Sequence, residues 1–91
     1  MFDKFEIGNS YMFINNYEVN ENESKTIEIH TFKCLTKAFS NNKFWGLFEH
    51  KINNVIQNKP VLKEIKTIDK EEQYITYKHN KITARNIVND I

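Results

Sequence analysis

Three histidines and one cysteine are the first candidates in this chain for a base, a nucleophile or a metal ligand: His30, His50, His79 and Cys34. On a β-strand, His30 and Cys34 would share a face but lie roughly 13 Å apart, because each residue advances the chain by ~3.3 Å. Only a helix would bring them within the hydrogen-bond distance that a nucleophile and its base need. No two of the four have the close spacing of zinc sites. We therefore expect no catalytic site, no metal and no cofactor, with Cys34 buried as a small apolar side chain and the histidines at the surface.

Carboxylates and glycines give no further indication of an active site. Glu71 and Glu72 are adjacent, so their side chains point apart and indicate a solvated charged run. Gly8 and Gly46 are isolated, whereas a phosphate-binding loop needs glycines close together. A chain of 91 residues also has little room for a substrate pocket. We expect that the protein is not an enzyme.

Composition predicts one globular domain over residues 1–91, since 40% of the residues are hydrophobic and 13% are aromatic. A single cysteine excludes an internal disulfide and fits a reducing compartment. The first residues lack the basic and apolar regions of a signal peptide, and no apolar run approaches the ~20 residues that span a bilayer. We expect a cytoplasmic protein with no membrane partner.

Charge is nearly balanced overall, with a formal net charge of +1. This excludes both a strongly acidic DNA mimic and a strongly basic DNA-coating protein. Asn, Lys and Ile together fill 37 of the 91 positions, whereas Gly, Ala, Pro and Arg fill six. The first group has A/T-rich codons and the second has G/C-rich codons. The composition therefore predicts an AT-rich genome, such as that of a low-GC bacterium or of a phage or plasmid in one.

Alternation of apolar and polar residues predicts strands on both sides of the polar segment 20–24. Tyr11 and Phe13 share one side of the first run, and Ile27 and Ile29 share one side of the second. The two runs predict an antiparallel hairpin whose second strand continues to about Thr36, although Phe32, Leu35 and Phe39 also have a helical spacing that leaves 31–39 open to a helix. Residues 61–68 and 73–79 predict two more strands. A turn at 80–81 and a short helix over 83–91 would complete the chain.

The clearest predicted element is a helix over residues 41–58. At 100° per residue, one arc of about 120° contains six apolar residues: Phe44, Trp45, Phe48, Ile52, Val55 and Ile56. Ser40 or Asn41 would cap the helix and Pro60 would end it. The whole order predicts an α+β fold, in which a small antiparallel sheet carries one main helix on one face. The arrangement would be β-grasp-like in architecture only.

Leu47 is the apolar residue of this segment that lies outside the arc, by about 60°, between Lys43 and Lys51. We expect Lys43, Leu47 and Lys51 to form an exposed partner-binding surface. The small size and the missing catalytic residues favour a non-enzymatic protein-binding module. AT-rich coding favours a phage or mobile-element accessory protein, which would bind and inhibit a host protein, for example one of antiviral defence.

A nucleic-acid-binding protein is the alternative, because residues 33–70 are rich in lysine and interleaved with aromatic residues. The candidate phosphate contacts are Lys33, Lys37, Lys43 and Lys51. Against this alternative, the aromatic residues already have a place in the predicted core, and arginine, which reads bases well, occurs once. The sequence leaves open a monomer or a homodimer, the latter through an exposed edge strand such as 74–79.

Overall fold

The computed structural model describes residues 4–18, 25–68 and 72–88, and in these ranges the chain forms strands and turns with no helix. Seven strands are present there: β1 Ser10–Glu18, β2 Lys25–Ser40, β3 Lys43–Ile52, β4 Val55–Ile56, β5 Val61–Ile68, β6 Glu72–Tyr77 and β7 Asn80–Thr83. The prediction of an α+β fold with a main helix is therefore wrong. The described chain is all-β.

The strands form one antiparallel sheet of order β1-β2-β3-β5-β6-β7, with β4 paired to the end of β3. The segment after β7 returns to β1, where Tyr11 and Ile87 form a bridge. Two backbone hydrogen bonds of 2.8 Å hold this contact, from Met12 N–H to the Asn86 carbonyl and from Val88 N–H to the Ser10 carbonyl. Because both sides of the sheet meet here, it closes almost completely into a barrel.

The predicted helix over 41–58 is replaced by the β3–β4 hairpin. Two asparagine pairs make the turns on either side of β3, with φ of 55° and 61° at Asn41 and Asn42 and of 50° and 67° at Asn53 and Asn54. Positive φ at both central residues is what the tightest hairpin turns require, and asparagine tolerates it better than other non-glycine residues. These turns reverse the chain where a helix would continue.

The C-terminal helix predicted over 83–91 is also wrong for the described residues. β7 pairs with β6 through residue 83, and 86–88 then pair with β1. The turn before β7 is at Lys78 and His79, again both at positive φ, and not at 80–81. β6 lies between β5 and β7, so the edge-strand prediction for 74–79 is wrong as well.

The other predicted strands are confirmed, except that the strand predicted over 73–79 ends at Tyr77. β1 and β2 pair from Ser10 with Lys33 to Glu18 with Lys25, although the turn predicted over 20–24 lies outside the described residues. β2 continues beyond Thr36 to Ser40. Its sixteen residues reach roughly 50 Å at ~3.3 Å per residue, close to the longest molecular dimension of 49 Å.

The core lies inside the barrel and combines aromatic and aliphatic side chains from every strand but β4. The buried members are Phe5, Tyr11, Phe32, Cys34, Phe48, Ile65, Ile75, Ile82 and Ala84. Phe5 comes from the segment before β1, and its ring meets the rings of Tyr11 and Phe48 edge-on at 4.6 and 5.6 Å. Cys34 is buried, as its apolar interpretation predicts.

Candidate interaction surface on the outer face of β3

Alternation along β3 separates a buried face from an outer face. Gly46, Phe48 and His50 are buried, whereas the odd-numbered residues between and beside them are half-buried or exposed. Because side chains on a strand alternate, residues four apart share a face. Lys43, Leu47 and Lys51, the predicted partner-binding residues, therefore lie in one row on the outer face of β3.

Leu47 lies at the centre of an apolar patch on this face. Its cross-strand neighbours are Thr36 on β2 and Leu62 on β5. Leu62 is 64% exposed, whereas Leu47 is half-buried, so Leu62 is the more accessible member of the pair. Trp45 lies two residues along β3, and its indole Nε1–H donates to the Ser40 carbonyl at 3.1 Å. We call Trp45, Leu47 and Leu62 the outer apolar patch.

Charged side chains lie at both ends of the row. Lys43 Nζ is 3.9 Å from Glu64 Oε1 on β5, and its side chain is 54% exposed, so solvent weakens this pair. Lys51 lies at the other end, opposite Thr31 of β2. Among the described residues, no carboxylate lies within ion-pair distance of Lys51. A partner that covers the patch would therefore meet a basic group on either side of it.

The four lysines of the nucleic-acid alternative do not share one face. Lys33 lies on the outer face of β2, opposite Glu49 of β3. A β-bulge between Cys34 and Thr36 then shifts the alternation by one residue. Lys37 consequently pairs with Gly46 on the inner side, where its ammonium donates to the Phe5 carbonyl at 2.7 Å. Lys33, Lys43 and Lys51 remain together on the outer side.

His30 and His50 contradict the expectation that the histidines lie at the surface, since they are only 2% and 5% exposed. His30 Nδ1 and His50 Nε2 are 2.9 Å apart, and His30 Nε2 is 3.2 Å from Glu28 Oε1. The His50 ring stacks on Phe32, with ring centres 4.4 Å apart. His79, by contrast, is exposed in the β6–β7 turn, as predicted.

This histidine pair can share and relay a proton, but its surroundings are those of a packed core. Tyr77 contacts both imidazoles, with ring centres 5.2 and 4.9 Å away. Burial lowers the pKa of His50 below its usual value, and the nearby His30, Lys63 and Lys78 lower it further. No group of three or more potential metal ligands occurs within residues 4–18, 25–68 and 72–88. The two histidines are therefore members of the packed interior of the barrel.

Sequence reasoning missed Leu62, Trp45 and the histidine pair as members of these two sites. The available signal was period two along 43–52, which sets Gly46, Phe48 and His50 on one side.

The adjacent glutamates also behave differently from expectation where they are described. Glu71 lies outside the described residues, while Glu72 Oε2 accepts from Arg85 Nε at 2.6 Å.

The chain matches no known protein-family model, and no curated protein or solved structure is significantly similar to it. Within the ranges that the structure describes, no helix is long and apolar enough to cross a membrane.

Proposed function

We propose that this chain is a small protein-binding module that inhibits a host protein by occupying part of its surface. The observation that carries the proposal is the cross-strand pair of Leu47 and Leu62 on the outer face, with Lys43 and Lys51 at either end of the row. Exposed apolar side chains surrounded by charged ones are typical of the centre and rim of a protein interface. The AT-rich composition supports a phage or mobile element as the source and a host protein as the target.

The outer apolar patch offers enough free energy to matter for binding. Fully burying one leucine side chain contributes about 1.5–3 kcal/mol, as an upper estimate for a group that is already partly covered. Trp45 is of a residue type that often dominates interface energetics, and the two leucines beside it add apolar area that a partner can cover. Lys43 and Lys51 favour a target whose facing rim is acidic, because complementary charge guides association and orientation.

Substitution of each leucine tests this proposal. Leu47→Glu and Leu62→Glu place a charge in the patch and are expected to abolish capture of a specific target from lysate of a low-GC bacterium. Ile27→Glu is the control for Leu62→Glu, because Ile27 is 55% exposed, close to the 64% of Leu62, and lies on β2, away from the patch and from Lys51. Binding of the identified target would then be measured with purified proteins, and the target's own activity titrated with the chain.

Two outcomes would count against the proposal, and a third would change which variant tests it. Retained affinity in both leucine variants would show that the patch is not part of the interface. An unchanged target activity at saturation would show that binding does not inhibit the target. Unfolding of Leu47→Glu, seen by circular dichroism, would show that Leu47 is needed for the barrel, and Leu62→Glu would then decide alone.

Nucleic-acid binding remains the alternative prediction, with less support from the geometry. Lys37 lies on the opposite side of the sheet from Lys33 and is bonded to a backbone carbonyl, and Lys43 pairs with Glu64. The ratio of absorbance at 260 and 280 nm distinguishes the two functions. Excess absorbance at 260 nm that a high-salt wash removes would favour nucleic acid, because counterion release makes such binding salt-dependent.

A further inference from the structure

A polar pocket lies on the outer face of β1, β2 and β3. It is at the Lys51 end of the β3 row, on the far side of Lys51 from the outer apolar patch. It encloses about 180 Å³ and is lined by Gly8, Ser10, Thr31, Lys33, Glu49, Lys51, Asn54 and Val88. Two register rows form its floor, one joining Ser10, Lys33 and Glu49 and the other placing Thr31 opposite Lys51. The turn at Asn54 and the segment that closes the barrel at Val88 supply its walls.

The lining contains several hydrogen-bond donors, and its positive charges outnumber its negative charges. The ammonium groups of Lys33 and Lys51 are both at the pocket, and in the described ranges neither lies within ion-pair distance of a carboxylate. The hydroxyls of Ser10 and Thr31 and the amide of Asn54 add neutral donors. Glu49 subtracts one charge, so the lining carries a net charge of +1.

We propose that this pocket binds a single carboxylate, the side chain of an aspartate or glutamate on the protein partner. One net positive charge matches a monoanion, whereas a phosphate dianion would face Glu49 with excess negative charge. Two ammonium groups and two hydroxyls suit the acceptor oxygens of a carboxylate. Val88 gives the pocket an apolar wall, against which the methylene groups of such a side chain can pack.

The assignment of the carboxylate to a protein partner rests on the proposed function. Lys51 belongs both to the pocket and to the row that contains Leu47, four residues and about 13 Å away along β3. A partner seated on the outer apolar patch therefore has the pocket within reach of the same interface. Binding of the anion itself does not need the partner, so it is tested first on the chain alone.

Titration of the full chain with sodium acetate, followed by ¹H–¹⁵N NMR at pH 7, measures this binding. We expect saturable shifts at the amides of Thr31, Lys33 and Lys51. The double variant Lys33→Gln/Lys51→Gln should raise the apparent Kd at least about tenfold, through loss of two charge-assisted hydrogen bonds. Lys66→Gln is the matched control, because Lys66 is an exposed lysine on β5, away from the pocket, and its Kd should stay that of the parent.

Two further titrations test whether the pocket prefers a carboxylate to other anions. Sodium chloride at the same ionic strength should give small, non-saturating shifts. Methyl phosphate, which is mostly a dianion at pH 7, should bind more weakly than acetate. An identical response to chloride would overturn the site, and tighter binding of methyl phosphate would overturn its assignment to a carboxylate. An unchanged acetate Kd in the double variant would overturn the role of the two lysines.

The partner then separates this inference from the proposed function. We expect Lys33→Gln/Lys51→Gln to weaken partner binding and acetate to compete with the partner. If Leu62→Glu abolishes partner binding but the double lysine variant leaves it unchanged, the proposed function stands and the carboxylate inference fails. If acetate binds as expected but neither leucine variant affects the partner, the proposed interface fails, and with it the assignment of the carboxylate to that partner.

Discussion

Nδ1 of His30 lies 2.9 Å from Nε2 of His50, although the two residues are twenty positions apart in the sequence. The facing nitrogens can share one proton but not two. When His30 Nε2–H donates to Glu28, its Nδ1 is free to accept a hydrogen bond from Nε2–H of a neutral His50. Protonating both rings would set two donors and two positive charges against each other inside the barrel.

Acid is expected to destabilise the barrel through this pair. Burial, together with His30, Lys63 and Lys78, holds the pKa of His50 below its unfolded value of 6.5. Below pH 6.5 the unfolded chain therefore binds more protons at this site than the folded chain, and the free energy of unfolding falls as the pH falls. Above pH 6.5 the contribution is complete. Urea denaturation at pH 8, 6.5 and 5, followed by Trp45 fluorescence, measures the effect.

His50→Phe should flatten this pH dependence while keeping a ring stacked on Phe32. Its stability at pH 8 should drop, because Nδ1 of His30 loses its partner. His79→Asn is the matched control, because His79 is exposed and its φ of 70° suits asparagine. A parental pH slope in His50→Phe would show that other groups cause the acid sensitivity.

The helix prediction failed because four-residue spacing satisfies two periodicities at once. Phe44, Phe48 and Ile52 fall on one side of a helix, and they also fall on one side of a strand. Trp45 distinguishes the two, since a helix would bury it beside Phe44 and the strand places it on the opposite face. The asparagine pairs on either side decide for the strand, and their turn geometry depends on φ values that composition alone does not reveal.

The same spacing explains how much of the candidate surface could be predicted. Lys43, Leu47 and Lys51 are four residues apart, so they stay on one face whether the segment is helical or extended. Leu62 could not be placed with them, because its position depends on which strand pairs with β3. The β-bulge at Cys34–Thr36, which separates Lys37 from Lys33, likewise depends on pairing and not on local pattern.

Gly46→Ala is expected to destabilise the fold by about 1–3 kcal/mol, the usual range for overpacking a core. A methyl group at position 46 would lie 2.5 Å from Cε1 and 2.8 Å from Cζ of Phe48, and 3.2 Å from Cδ1 of Ile65. The Phe48 ring is fully buried and packs edge-on against Phe5, so a shift of the ring would disturb the core around it. Chemical denaturation of the variant and the parent measures the difference.

A double-mutant cycle identifies the cause of that loss. Phe48→Leu removes the ring atoms that the new methyl group would meet, so adding Gly46→Ala to it should cost less than adding the same change to the parent. Equal costs in both backgrounds would mean that the loss does not arise from the Phe48 ring.

Asn42→Val should lower stability by about 1–2 kcal/mol, because a β-branched residue is strained at positive φ. Asn42 has φ of 61° in the β2–β3 turn. Asn42→Gly should equal or exceed the parent, since glycine adopts this conformation freely. Asn16→Val provides the control, because Asn16 is exposed within β1 and valine favours strands. Asn42→Val should have the lowest melting temperature in thermal denaturation. A lower melting temperature for Asn42→Gly or Asn16→Val would contradict the turn assignment.

Phe5→Ala is expected to cost about 3–5 kcal/mol, the range for truncating a buried phenylalanine. Phe5 is fully buried between Tyr11 and Phe48, although it precedes the first strand. Ile7→Ala is the control from the same segment, since Ile7 is 60% exposed and should change stability by less than about 0.5 kcal/mol.

Because the loss expected for Phe5→Ala can unfold a small protein, Phe5→Leu supplies an intermediate that stays measurable. The midpoint of urea unfolding should fall in the order parent, Phe5→Leu, Phe5→Ala. Equal midpoints for Phe5→Ala and Ile7→Ala would show that the segment before β1 contributes nothing to the barrel core.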